Sequence, residues 1–351
     1  MRRLIPALLA VVMAVVMTAC SAQKPLTRYT YTFYDTFDTV VILVGYAEDE
    51  ETFNRAAAVC EAEFVRMHGL YNPYLHANGT NNVWTLNEKA WKQPMVVDAD
   101  IMNLLLLCKE WAGMSPVVNP AMGRVLRLWH NARDNAESEP WNAAIPSADD
   151  LTAAAEHTSL DDLVLDPAAM TVWYDDPLLR LDLGAVAKGY AAGKAGEKVA
   201  EIMPVYSINA GGNIVMGESY KAEGWKVGVQ DPDAALFISD DPYVCTLQAK
   251  NCAIVTSGDY QRFFYADGVA YHHLIDPETN MPAKHYRAVT IVAPDSALAD
   301  WYSTAAFLLP PDESRALIAA GNGVEAMWIH PDGTVEMTDG FKAMVVTETA
   351  E

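Results

Sequence analysis

The stretch LDLGAVAKGYAAGKAGE, residues 181–197, marks a change of period in the sequence. Before it, LVLD (163–166), TVWYDD (171–176) and LRLDLG (179–184) alternate apolar and polar residues, the pattern of half-buried strands. Beyond Gly184 the pattern turns helical and predicts a helix from about Ala185 to Met203. Nothing bulky fills its first turns, so two readings stand. A bare helix N-terminus offers unpaired N–H groups to an anion. Gly184, Ala185 and Ala187 would then admit a ligand to the backbone, Asp182 would accept from a ribose or base edge, and Lys188 would meet a phosphate or carboxylate. The same small residues equally suit a tight helix crossing.

On the N-terminal side, YTYTFYDTFDTVVILVGYA (29–47) reads as one or two strands, and residues 49–71 as a helix capped by Asp49. Further helices are predicted over 98–114, 120–133 and 146–158. On the C-terminal side, strands and turns dominate from Tyr206 to Pro294, two helices follow over 296–309 and 311–321, and residues 324–338 form a closing hairpin. Helices and strands mix without regular βαβ alternation, which favours an α+β fold. Gly211-Gly212 within INAGGNIVMG (208–217) marks a turn, a bulge or a place where a ligand touches the backbone.

The N-terminus, MRRLIPALLAVVMAVVMTAC, has two arginines, an apolar run too short for a comfortable transmembrane helix, and small residues before Cys20. It resembles a bacterial lipoprotein leader. The expected organisation is a signal peptide over 1–19, a tether over 20–30 with lipidated Cys20, and one domain over 31–351, anchored on the extracytoplasmic face of a bacterial membrane. A net charge of −22 argues against nucleic acid as a partner. Cys60 and Cys108 lie in apolar helical stretches and read as buried thiols, whereas Cys245 and Cys252 flank a short turn and are candidates for a disulfide. No CxxC or HxxxH spacing suggests zinc.

Polar chemistry gathers in TSGDYQRFF (256–264) and HHLIDPETNMPA (272–283), with Ser257, Asp259, Arg262, His272, His273 and Asp276. In ALADWYST (297–304), Asp300 and Thr304 stand four apart, hence on one helix face, and could hold a hard cation through oxygen.

Taken in order, DLGAVAKGYA, INAGGNIVMG, WKVGVQDP, AIVTSGDYQRFF, HLIDPETNMPA and LADWYSTAAF resemble the ApbE family of FAD:protein FMN transferases and FAD-hydrolysing relatives. The likeness extends upstream through TFDTVVIL (36–43), LYNPY (70–74) and VVNPAMGRVLRLW (117–129). The resemblance implies a two-lobed fold of antiparallel or mixed sheets and packed helices, with FAD between the lobes and Mg²⁺ beside its pyrophosphate. It implies metal ligation by the Ala185 carbonyl and the side chains of Asp300 and Thr304. It also implies flavin-nucleotide contacts at Phe37, Tyr71, Val117, Val118, Asn119, Asp182, Lys188 and the backbone near Leu274, with His273 as the base.

The expected reaction attaches FMN through a phosphoester to Thr or Ser of an extracytoplasmic redox protein bearing a D-G-x-x-S/T-G-A-T motif, with release of AMP. Alternatives are hydrolysis of FAD to FMN and AMP, a flavin carrier without turnover, and a generic solute-binding lipoprotein. The chain departs from the family at Asn119, commonly Asp, and at Asn81-Asn82, often Ser-Glu. It has no acceptor motif of its own.

Overall fold

The computed structural model describes residues 25–77, 79–234 and 242–346. The chain opens with strands β1 (Thr27–Thr36) and β2 (Thr39–Ala47) and helix α1 (Glu50–Tyr71). Next come α2 (Val83–Lys89), β3 (Met95–Val96), α3 (Ala99–Ala112), α4 (Gly123–Ser138), α5 (Ala148–Ala155), β4 (Leu163–Asp166) and β5 (Thr171–Tyr174). Helix α6 (Ala187–Ala200) leads into β6 (Tyr206–Ala210), β7 (Asn213–Met216), β8 (Trp225–Gln230), β9 (Tyr243–Ala249), β10 (Cys252–Gly258), β11 (Phe263–Ala266), β12 (Val269–His272) and β13 (Ala288–Ala293). The described chain closes with α7 (Ser296–Leu308), α8 (Pro311–Ala320), β14 (Glu325–Ile329), β15 (Val335–Met337) and α9 (Asp339–Met344).

Eight strands form one sheet in the order β1-β2-β6-β7-β10-β13-β14-β15, antiparallel at every step. Its two faces bury different cores. Ala253 and Val255 of β10 pack with α1, α6 and α7, while Ile254 between them packs with the β8–β9 hairpin and Phe341 of α9. β13 is central and covered on both faces, so AVTIVA is buried throughout and shows no alternation. A second lobe has its own apolar cluster, drawn from α4, α5 and the β11–β12 hairpin and including Val125, Trp129, Leu151 and Phe264. The fold is α+β, as the sequence suggests.

Several expectations need correction. LRLDLG is not a strand beyond one bridge between Arg180 and Met122. Leu181 N–H donates to Asn87 Oδ1 (2.7 Å), its carbonyl accepts from Asn87 Nδ2 (2.9 Å), and Asp182 N–H donates to the Pro120 carbonyl (2.9 Å), so this backbone is satisfied without a sheet neighbour. The helix beyond it is shorter than predicted, and Pro120 lies outside α4. Helices α2 and α9 had no counterpart in the sequence reading. β1 starts at Thr27, inside the stretch expected to be tether, where Tyr29 stacks on Phe53 of α1 (5.2 Å). Cys245 and Cys252 are free thiols, on β9 and β10, and Cys60 and Cys108 are buried as predicted. The expected leader and Cys20 lie outside the described residues, and among those described no helix is long and apolar enough to cross a membrane.

Gly211-Gly212 is neither bulge nor strand but the two-residue turn of the β6–β7 hairpin, with φ of 58° and 89°. Positive φ at both central residues is the geometry that favours glycine there.

The crossing of α6 and α7 fixes the relation of the two site helices. At Gly189 a Cβ would stand 2.5 Å from Asp300 Cβ and closer still to the Ser296 carbonyl. Gly189→Ala should therefore force the helices apart and destabilise the protein by about 1–3 kcal/mol. Thermal melts read this directly, and an unchanged Tm would show that the crossing is loose.

Candidate active site

A cavity of about 640 Å³ opens between the lobes. One wall is the sheet edge and its helices: the tips of the β1–β2 and β6–β7 hairpins, the end of β10, and the start of α6 with the middle of α7. The other is the second lobe, with Leu126, Trp129, His130, Arg133 and Phe264. All twelve residues implied by the resemblance line this one space.

The start of α6 explains its bare sequence. Val186 occupies the cap position without a side-chain hydrogen bond. The cap comes from another helix: Gly189 N–H donates to Asp300 Oδ2 (2.8 Å). The tight crossing is thus observed, and Gly184, Ala185 and Ala187 also line the cavity. Burial pushes the Asp300 carboxyl up, opposed by Lys188, by the Gly189 N–H and by the Asn213 amide. Burial likewise draws Lys188 below its usual range, with Asp300 pulling the other way.

Around Asp300 the oxygens are short of donors. Asn213 Oδ1 is buried with no hydrogen-bond partner, and Thr304 Oγ1 lies 3.5 Å from Ser257 Oγ, too far for a good bond. Among the described residues no three His, Cys, Asp or Glu side chains group as a metal site. One carboxylate with neutral oxygens is nonetheless a donor set that suits Mg²⁺, whose remaining positions are filled by water and phosphate. Asp300, Thr304 and the nearby Ala185 carbonyl fit that role.

Asp182 Oδ1 accepts from Gly184 N–H (2.8 Å), and its Oδ2 accepts from Tyr74 O–H (3.2 Å). Tyr74 stacks on His130 (4.1 Å, 9° between rings), with the Arg127 guanidinium 4.4 Å from its centroid. Tyr71 O–H donates to the Asp100 carbonyl, which fixes the ring in the wall. Asn119 spends its side chain on backbone, donating to the Thr158 carbonyl beyond α5 (2.8 Å) and accepting from Ala121 N–H in its own loop (2.9 Å). Asn82, buried, caps α2 and donates to the Leu75 carbonyl (2.7 Å), so it too ties loop to helix. Leu274 has both backbone groups engaged, its N–H with His272 and its carbonyl with Ala283.

His272 and His273 part company. His272 is held by both ring nitrogens, to the Ala283 carbonyl (2.7 Å) and from Leu274 N–H (3.2 Å). His273 lines the cavity with Nδ1 buried and unpartnered among the described residues. Burial first, then the charges of Arg262 and Lys188, hold its imidazole well below the ordinary range. Its ring is held in the neutral form. Asp276 organises the following turn through Glu278 N–H (2.9 Å) and Thr279 O–H (2.8 Å), and Asp259 pairs with Arg287 (2.8 Å) outside the cavity.

The β1–β2 tip was named only for Phe37. Thr36 pairs with Thr39, leaving Phe37 and Asp38 as a two-residue turn with φ of 53° and 51°. Left-handed backbone costs about 1–2 kcal/mol per non-glycine residue. His68 and Arg262 hold this tip, and they, with Tyr74, Asn213, His130 and Arg133, are among the lining residues to which sequence reasoning assigned no role. The signal available for the last two was the basic spacing in GRVLRLWHNAR.

A sequence profile described as the ApbE family matches residues 27–328. The chain belongs to the ApbE family. A relative named FAD:protein FMN transferase from Treponema pallidum is 33% identical over 277 residues, covering 73% of this chain and 72% of that protein. Another of that name from Klebsiella pneumoniae is 26% identical, covering 82% and 85%. The solved ApbE protein of Thermotoga maritima superposes with a TM-score of 0.79 at 26% identity, over 92% of this chain and all of the other. The flavin transferase ApbE from Vibrio cholerae shares the fold, with a TM-score of 0.75 at 19% identity over 91% and 100%. ApbE structures and this chain therefore agree in architecture across both lobes.

The depressed His273 has a testable sign. The unfolded imidazole takes a proton as pH falls below about 6.5, and the folded ring does not. Its contribution to stability is therefore complete above that pH and is lost as pH falls below it. Ring ¹⁵N shifts should report a neutral His273 at pH 6, and His273→Gln should flatten the fall in Tm between pH 7 and 5.

Proposed function

We propose that this ApbE-family chain is an FAD:protein FMN transferase, moving FMN from FAD to a Thr or Ser hydroxyl of an acceptor protein and releasing AMP. The observation that carries the reading is the convergence of one buried carboxylate, one neutral histidine and the nucleotide-framing Asp182 and Lys188 in a single cavity. The names of the relatives supply the reaction.

Each residue then has a task. Asp182 and the Tyr74–His130 stack frame the nucleotide, and Tyr71 and Phe37 give the flavin apolar walls. Lys188 would meet the pyrophosphate, with Asp300 favouring its charged form against burial. His273, neutral and short of a partner, accepts the proton of the acceptor hydroxyl. The hydroxyl oxygen bonds to the FMN-side phosphorus, the bond to the bridging oxygen breaks, and AMP departs with that oxygen. Asp300, Thr304 and the Ala185 carbonyl would hold Mg²⁺, which when bound neutralises pyrophosphate charge and improves AMP as a leaving group. Lipidation at Cys20 would place the site outside the cell membrane, beside extracytoplasmic redox proteins carrying a flavinylation motif.

The test uses the chain beginning after Cys20, with FAD, Mg²⁺ and an acceptor domain carrying D-G-x-x-S/T-G-A-T. Mass spectrometry should show one FMN added to the acceptor, at a rate that Asp300→Ala lowers by roughly 100-fold or more. Free FMN and AMP with unmodified acceptor would make the protein a hydrolase instead. Bound, intact FAD would make it a carrier, and either result overturns the proposal.

A further inference from the structure

Two hairpin tips meet at the cavity rim. The β6–β7 tip uses Gly211-Gly212, and a Cβ on Gly211 would collide with Thr39 of the neighbouring hairpin. The β1–β2 tip needs the same left-handed backbone and uses Phe37-Asp38 instead, with Asp35 also at positive φ (65°) just before it. Asp tolerates this region through its short polar side chain, but a bulky aromatic does not. A Phe held there needs support from outside the turn.

That support comes from two side chains, one on α1 and one on the segment between β10 and β11. Phe37 N–H donates to His68 Nδ1 of α1 (3.0 Å). Arg262 Nη2 donates to the Phe37 carbonyl (2.8 Å) and to the Asp38 carbonyl (3.2 Å). Arg262 lies between β10 and β11, and its own carbonyl accepts His273 N–H (3.1 Å). Phe37 in turn packs edge-on against Phe64 (6.3 Å) and His68 (5.5 Å).

We infer that Arg262 is a positioning residue: its guanidinium bridges the Phe37 and Asp38 carbonyls, holds the hairpin tip in its left-handed turn, and so fixes the Phe37 wall relative to the His273 segment. The consequence for substrate rests on the reading of the cavity as a flavin site. Both bonds leave one nitrogen, Nη2, which the rigid guanidinium plane holds in place; an ammonium on the shorter, flexible lysine stem does not reproduce that placement. A charge effect on a bound phosphate, by contrast, would survive replacement by Lys.

The test compares wild type, Arg262→Lys, Arg262→Ala and Arg262→Ala/Asp38→Gly, with thermal melts to verify folding. Hydrogen exchange over residues 33–41 without FAD should rise at the Phe37 amide in both single variants. It should fall back in part in the double variant, because glycine at 38 removes that residue's share of the left-handed cost and leaves only Phe37 to be held. The Kd for FAD, by flavin fluorescence, should weaken roughly tenfold or more in both single variants and partly recover in the double. In turnover the loss should appear in KM, with kcat much less affected. Wild-type FAD affinity in Arg262→Lys, unchanged exchange at the tip, or no recovery with Asp38→Gly would each overturn the inference. If Arg262→Ala does not fold, Arg262→Lys against Arg262→Lys/Asp38→Gly decides by the same readouts. Should wild type bind no FAD, the flavin reading fails while the exchange comparison still tests the clasp.

Discussion

One hydrogen bond between two helices sets the geometry of the site. Asp300 of α7 accepts the Gly189 N–H near the start of α6, where the chain provides no cap of its own. The contact needs the glycine, because a side chain there would strike Asp300 itself. It places a carboxylate against a helix N-terminus, where the helix dipole favours negative charge. Lys188, Ala185 and Thr304 are adjacent in sequence or one turn away, so their positions follow from the same crossing.

The sheet supplies the second constraint. Because β2 pairs with β6, and Val41 faces Ala210, the hairpin tips beyond those residues come out at the same end. One tip is all glycine and relaxed. The other carries an aromatic in a strained turn and borrows its stability from α1 and from the β10–β11 segment. Strain of this kind persists only where the surroundings over-determine it. Here those surroundings belong to the cavity wall.

The sequence was most legible where one element holds both partners. Asp300 and Thr304 are four apart, and helical geometry alone puts them on one face. Asp49 capping α1 was readable for the same reason. What could not be read were contacts between distant segments. Gly189 finds its acceptor 111 residues away. Asn87 satisfies Leu181 from 94 residues away, which turned an apparent strand into a tied-down loop. VWTLNEK is only two turns long and shows too little periodicity to announce a helix, although Asn82 caps it. Phe37, Tyr71, Val117, Val118, Asn119 and Leu274 came from ordered motifs shared with a family, since neither charge pattern nor spacing alone would have put Phe37 in one cavity with His273.

The cations around the cavity have a kinetic consequence. Lys188, Arg262 and Arg133 face the cavity of a chain whose net charge is −22. An anionic ligand is therefore repelled at long range and meets these cations only inside the cavity, which Asp38, Asp182 and Asp300 line too. Screening acts first on the long-range part, since the Debye length is about 10 Å at 0.1 M salt. Added salt should speed the ligand's arrival by muting the repulsion and also speed its escape by weakening the local hold. Affinity would then change little with ionic strength, while the residence time shortens.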